Sequence, residues 1–211
     1  MTFADKHKAS FLHFLGLGPL LAITTQASTG LFYGLLTMAI TLLGTIALSA
    51  ASVRDFTLQK LPLVAVIIAS IATIAELFLR QNFYEMDRNI GIFIPLLASQ
   101  SLIYLVCLET STAPNLKLDL LRCFRVGATY TLSLFALGFA RELLGSGNIF
   151  GGYESIFNLY EPSFLPLLGE AWRFKILELA PGAFIILGLS IALFNAIRNN
   201  KASQYTESRR I

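Results

Sequence analysis

The stretch of chain that decides the fold runs from residue 9 to residue 53 and reads ASFLHFLGLGPLLAITTQASTGLFYGLLTMAITLLGTIALSAASV. It contains no aspartate, glutamate, lysine or arginine. A helix crosses the hydrocarbon core of a membrane in roughly 20 residues, so this stretch is too long for a single span. The small and polar residues from Gln26 to Gly30 divide it. We therefore predict two transmembrane helices that fold back on each other at this turn.

The rest of the chain repeats the pattern of long apolar runs bounded by charges. Of its 211 residues, 55% are hydrophobic and only 14% are charged, whereas a soluble domain carries about 25% charged residues. In lipid the backbone must satisfy its own hydrogen bonds, which favours helices. The sequence predicts one all-α integral membrane domain over residues 1–211, with a basic cytoplasmic tail at 199–211. The six predicted spans are residues 10–27, 31–53, 61–79, 90–108, 126–144 and 177–197.

An internal repeat divides these spans into two groups of three. The tetrapeptide Pro-Leu-Leu-Ala at 19–22 recurs at 95–98, each time a few residues after a glycine. Three spans per half is an odd number, so the halves, about 10–79 and 90–198, are predicted to be inverted. Spans one and four, interrupted by glycine and proline, would then mark a functional centre near the midplane. Its polar lining would come from Thr24, Thr25, Gln26, Ser99, Gln100 and Ser101.

The distribution of lysine and arginine predicts the orientation, because cytoplasmic loops carry an excess of both. With the N-terminus inside, the outer segments hold only Arg80, Arg88, Arg173 and Lys175. We therefore expect a multi-pass protein of a bacterial-type inner membrane with both termini in the cytoplasm. The inner segments would hold Lys6, Lys8, Arg54, Lys60, Lys117, Arg122, Arg125, Arg198, Lys201, Arg209 and Arg210.

Three charged residues fall inside predicted spans: Glu76, Arg141 and Glu142. Charges in lipid are costly and are functional candidates by default. Glu76 and Arg141 each lie about 15 residues into an outward-running span, which predicts a structural ion pair. An ion or proton path is the alternative. The basic residues form no stripe interleaved with aromatics, so nucleic acid is not an expected partner.

Cysteine and histidine give no metal-site pattern. Cys107 and Cys123 are the only cysteines, and His7 and His13 lack the spacing of a ligand pair. We expect two free thiols that act as apolar filler, and no metal site.

Four ordered motifs resemble the Rnf/Nqr family of membrane subunits, and most closely its D/E-type subunits. They are GLGPLLAIT at 16–24, GIFIPLL at 91–97, RELLGSGNIF at 141–150 and APGAFIILGL at 180–189. The resemblance implies six helices in two inverted halves, and a homologous partner of opposite topology in an ion-translocating electron-transport complex. It also implies a [2Fe–2S] cluster between the paired subunits, to which each of them supplies two cysteines from its first and fourth helices.

This chain departs from the family at the ligand positions, where it has Gly18 and Ser101. Neither residue can replace a thiolate, and Cys107 lies about 9 Å beyond Ser101 along a helix. We therefore predict no cofactor in this chain. The leading hypothesis is a diverged, non-catalytic subunit of such a complex, in contact with its partner through spans one and four. The alternatives are a small transporter or permease with the same fold, and a structural or assembly subunit.

Overall fold

The computed structural model describes eight stretches of the chain: residues 24–50, 60–82, 91–110, 115–146, 148–149, 165–166, 175–177 and 179–207. Most of predicted span one, with Gly18 and the first Pro-Leu-Leu-Ala copy, lies outside them. The described part is helical apart from a two-residue antiparallel ladder that pairs Asn148 with Pro166 and Ile149 with Leu165. The α-helices are α1 (Ala27–Ala50), α2 (Lys60–Asn82), α3 (Ser101–Thr110), α4 (Leu116–Gly145) and α5 (Ala180–Glu207), and 3-10 turns cover Gly91–Phe93, Pro95–Ser99 and Lys175–Leu177.

Three of the helices are long and apolar enough to cross a membrane: α1, the stretch Leu61–Asn82 of α2, and α4. A shorter apolar helix, Pro181–Ala192, forms the first part of α5. Large apolar side chains also lie on the outside of the fold; Val66, Ile74 and Phe78 of α2 are each more than 60% exposed. An outer surface of this kind suits lipid and confirms the prediction of a multi-pass membrane protein.

The core lies where α1 packs along α4, with α2 and α3 against α1 and with α5 against α4. Its centre consists of side chains that are fully buried, such as Tyr33, Ile40, Ile68, Ile103 and Leu134. These five come from α1, α2, α3 and α4, so the four helices share one core.

Two helix boundaries lie ten residues outside the predicted spans, because a charge marks the edge of the membrane but does not end a helix. α4 begins at Leu116, ten residues before the predicted span, and its 30 residues measure about 45 Å. This exceeds the roughly 30 Å of hydrocarbon, so the helix carries Lys117, Asp119, Arg122 and Arg125 past the apolar region. α5 likewise continues to Glu207, so most of the predicted tail is helical.

Predicted span four has an irregular course. Its first part consists of the two 3-10 turns, and α3 begins only at Ser101. Between them Gln100 has extended backbone angles of φ −76° and ψ 119°. Its N–H donates to the Leu97 carbonyl and its own carbonyl accepts from Ile103 N–H, so the residue both ends the 3-10 turn and starts α3.

Candidate functional site

The site is built on the close approach of α1 and α4, which run antiparallel. Glycines allow the two backbones to touch: a Cβ on Gly138 would lie 2.4 Å from the Gln26 carbonyl oxygen. A Cβ on Gly34 would lie 2.7 Å from the Thr131 Cα. Small residues at such crossings let membrane helices pack at short distance. The contact brings the end of α4 beside the start of α1.

Arg141 occupies this end of α4 and is completely buried. Its guanidinium donates to backbone carbonyls on two separate segments of the chain. Nη1 lies 2.9 Å from the Thr24 oxygen, Nε 3.1 Å from the Leu177 oxygen and Nη2 3.1 Å from the Leu179 oxygen. Because arginine presents its donors in a rigid fork, one side chain fixes the approaches to α1 and α5 at the same time.

Glu142, the next residue, is 2% exposed and acts on α1. Its Oε2 accepts a hydrogen bond of 2.9 Å from the N–H of Ala27, the first residue of that helix. The first N–H groups of a helix have no internal partners, and the helix dipole favours negative charge there. The hydroxyl of Thr29 adds local contacts at this helix start, because its oxygen accepts from the Gln26 N–H at 3.4 Å and its proton is donated to the Gln26 carbonyl at 2.9 Å. Glu142 is therefore an N-terminal cap supplied from 115 residues away.

The predicted ion pair between Glu76 and Arg141 is wrong for the part of the chain that the structure describes. α2 packs against α1, α3 and the neighbouring 3-10 turns, whereas α4 packs mainly against α1 and α5. Glu76 is half-buried on α2, and the guanidinium of Arg141 donates to three backbone carbonyls. The prediction used only the equal heights of Glu76 and Arg141 in the membrane, and α2 and α4 are not close neighbours in the bundle.

The predicted polar lining does not come together in one place. Thr24 is buried beside Arg141, with the half-buried Thr25 and Gln26 next to it in the chain. Gln100 lies instead against Tyr130, and Tyr130 and Arg141 are about 16 Å apart along α4. The two groups therefore form separate sites, one at the end of the bundle and one near its middle.

The middle site consists of Gln100 and Tyr130. Gln100 is 1% exposed, and its Nε2 donates to the Tyr130 hydroxyl. On either side of it, Ser99 and Ser101 are both exposed, and the Ser99 hydroxyl donates to the Leu96 carbonyl at 2.8 Å. The irregular backbone at Gln100 thus directs one amide side chain inward and leaves its two serine neighbours at the surface.

A third polar cluster, which the sequence analysis did not anticipate, joins α1, α3 and α4. Thr45 donates to the Thr41 carbonyl at 2.9 Å, and its oxygen lies 3.0 Å from the Cys123 sulfur. The Cys107 sulfur lies beside the neighbouring Gly44, where an added Cβ would be 3.3 Å from it, and both cysteines are fully buried thiols. Either side chain can donate in the contact between Thr45 and Cys123, because a hydroxyl and a thiol each carry one proton and acceptor lone pairs. The signal in the sequence was the four-residue spacing of Thr37, Thr41 and Thr45, which places hydroxyls on one face of α1.

Among the described residues no group of three or more histidine, cysteine, aspartate or glutamate side chains could hold a metal ion. The charged and polar groups act mainly on the backbone of neighbouring segments. These features define a polytopic helical membrane protein whose buried charges hold its own helices together.

Comparison with known proteins identifies the family. The family described as Rnf-Nqr subunit, membrane protein, matches residues 4–191. A protein of Shewanella oneidensis, named as the E subunit of an ion-translocating oxidoreductase complex, is 31% identical in an alignment of 198 positions that covers 91% of this chain and 83% of the relative. A protein of Acetobacterium woodii, named as the E subunit of a Na(+)-translocating ferredoxin:NAD(+) oxidoreductase complex, is 32% identical over 190 residues, or 90% of this chain and 91% of the relative. The chain belongs to the Rnf-Nqr subunit family.

Proposed function

We propose that this chain is the E-type membrane subunit of an ion-translocating electron-transport complex, in which it acts as a non-catalytic part. The observation that carries the proposal is the identity of 31–32% with named E-type relatives across nine-tenths of the chain. A match of this extent leaves no room for an unrelated domain within the matched region. The multi-pass helical fold agrees with the role.

Affinity purification tests this assignment. The tagged chain, extracted from native membranes in mild detergent, should bring down other subunits of such a complex, including a second membrane protein of the same family. Mass spectrometry identifies them, and a tagged unrelated membrane protein of similar size serves as the control. If the chain purifies as a stable monomer without any other subunit, the assignment is wrong.

The finer architecture belongs to the same proposal: two inverted halves, with spans one and four interrupted and both termini in the cytoplasm. The break at Gln100 supports an interrupted span four. α1 and α4 are antiparallel, which agrees with their being the second and fifth of six consecutive membrane crossings. The homologous partner would have the opposite topology and pack against spans one and four.

The family's [2Fe–2S] cluster does not fit the residues of this chain. Such a cluster takes four ligands, usually thiolates. Ser101, at one family ligand position, is an exposed serine, and the other position is Gly18. Cys107 and Cys123 are fully buried among α1, α3 and α4, and a cluster shared between two subunits would need sulfur atoms at the outer surface. We propose that the fold serves assembly or ion passage without this cluster.

The transporter alternative depends on one converging polar pocket at the midplane. In the described stretches Thr24–Gln26 and Gln100 belong to separate sites, so the best predicted lining is divided. The structure therefore favours the complex subunit over a substrate-binding permease.

A further inference from the structure

The N-terminal part of α4 carries a surface that the proposed function does not use. Its exposed face alternates large apolar side chains with basic ones; Leu118, Leu121 and Phe124 are each more than half exposed. Asp119 and Cys123 of the same turns are buried on the opposite side. The interfacial face, as we name it, therefore presents three positive charges and no negative one: Lys117, Leu118, Leu121, Arg122, Phe124 and Arg125.

The height of this face follows from the helix geometry. The uncharged run from Val126 to Ala140 measures about 22 Å. A hydrocarbon core of about 30 Å centred on that run ends close to Cys123. Arg122 and Arg125 then lie on either side of the core boundary, and Lys117 lies about 9 Å outside it. This distance is close to the depth of one headgroup layer.

We infer that the interfacial face binds anionic phospholipids, with the basic side chains on headgroup phosphates and with Phe124, the apolar side chain nearest the core boundary, on the first carbons of the acyl chains. Lysine and arginine stems lie along apolar surface while their charged ends reach the polar layer. Basic clusters at the end of a transmembrane helix attract anionic lipid, and each charge contributes separately. Phe124, one residue inside the core boundary, favours lipid over a soluble protein, because its exposed ring lies at the level of the acyl chains.

Native mass spectrometry of the complex tests the inference. The complex is released from nanodiscs that contain equal amounts of phosphatidylglycerol and phosphatidylcholine, and the lipids that remain bound are counted. The variant carries Lys117→Gln, Arg122→Gln and Arg125→Gln. The matched control, Lys117→Arg with Arg122→Lys and Arg125→Lys, keeps all three charges. If the triple variant does not assemble, lipid retention is measured for the three single glutamine variants instead.

We expect retention of phosphatidylglycerol over phosphatidylcholine in the unmodified complex and in the charge-preserving control. The preference should fall roughly fivefold for each charge removed. Equal retention of the two lipids by the unmodified complex would overturn the inference. So would glutamine variants that keep the full preference, or a partner protein found crosslinked to Leu121 in the intact complex. A failure here leaves the proposed function standing, because the affinity purification does not depend on bound lipid.

Discussion

A buried guanidinium in a membrane protein must find acceptors for its N–H groups, and Arg141 finds them in the backbone. Three carbonyls, from Thr24, Leu177 and Leu179, lie within 3.1 Å of it. These carbonyls precede α1 and α5, so the side chain fixes two helix starts. Removing a partner from such a group leaves buried polar atoms without hydrogen bonds, which costs about 1–3 kcal/mol for each.

Replacing Arg141 by lysine should therefore not be conservative. One ammonium cannot reproduce the flat fork that reaches two segments, so we expect the free energy of unfolding to fall by about 2–3 kcal/mol. Thermal unfolding in detergent, followed by the loss of the monodisperse chromatographic peak, measures the change. Arg125→Lys, at an exposed position of α4, is the matched control and should leave the midpoint unchanged. Equal midpoints for the two variants would contradict the role given to Arg141.

We predict that Glu142 stabilises the start of α1 both by its negative charge and by the hydrogen bond that its oxygen accepts. Glu142→Gln keeps an acceptor for the Ala27 N–H but loses the interaction with the α1 dipole, so we expect a loss of about 1 kcal/mol. Glu142→Ala removes both and should cost more. The same thermal assay applies, with Glu76→Gln as the control away from any helix start. The order alanine, glutamine, wild type in rising stability is required; a glutamine variant as stable as wild type would show that the charge contributes nothing.

At the scale of the helices, sequence reasoning succeeded where the apolar run and the helix coincide. Predicted span 61–79 lies within α2, Lys60–Asn82, because charges flank that run closely. The predicted start of α4 at residue 126 was wrong because the helix extends beyond the apolar run to Leu116 and includes Lys117 and Arg122. The residues of the end site, Arg141 and Glu142, could be found as intramembrane charges. Their partners could not, since a backbone carbonyl or N–H group has no signature in the sequence.

The crossing of α1 and α4 gives the sharpest prediction at this scale. In Gly138→Ala the new Cβ would lie 2.4 Å from the Gln26 carbonyl oxygen, a backbone atom that cannot turn aside. The helices must separate, and we expect a loss of about 1–3 kcal/mol. Gly188→Ala is the matched control, because nothing lies within 4 Å of that position on α5. Alanine favours helix there, so the control should be neutral or up to about 1 kcal/mol more stable. Equal changes in stability for the two variants would contradict the role given to the close packing at Gly138.

For the whole molecule, the proposed orientation has a direct test. Fusions of alkaline phosphatase and of green fluorescent protein after Arg54 and after Arg88 should report opposite sides of the membrane, with Arg54 inside. A fusion at the C-terminus should agree with Arg54, because both termini are expected in the cytoplasm. Activity of the same reporter after Arg54 and Arg88 would contradict the alternating six-span topology.

The central claim is that this chain keeps the family fold but supplies no ligand to an iron–sulfur cluster. Low-temperature electron paramagnetic resonance of the purified, reduced complex tests it most directly, with wild type compared to the Cys107→Ser, Cys123→Ser double variant at equal protein content. Because both thiols are buried against Thr45, the account predicts identical cluster signals in the two samples. A [2Fe–2S] signal that disappears in the double variant would contradict it, since these cysteines would then be ligands.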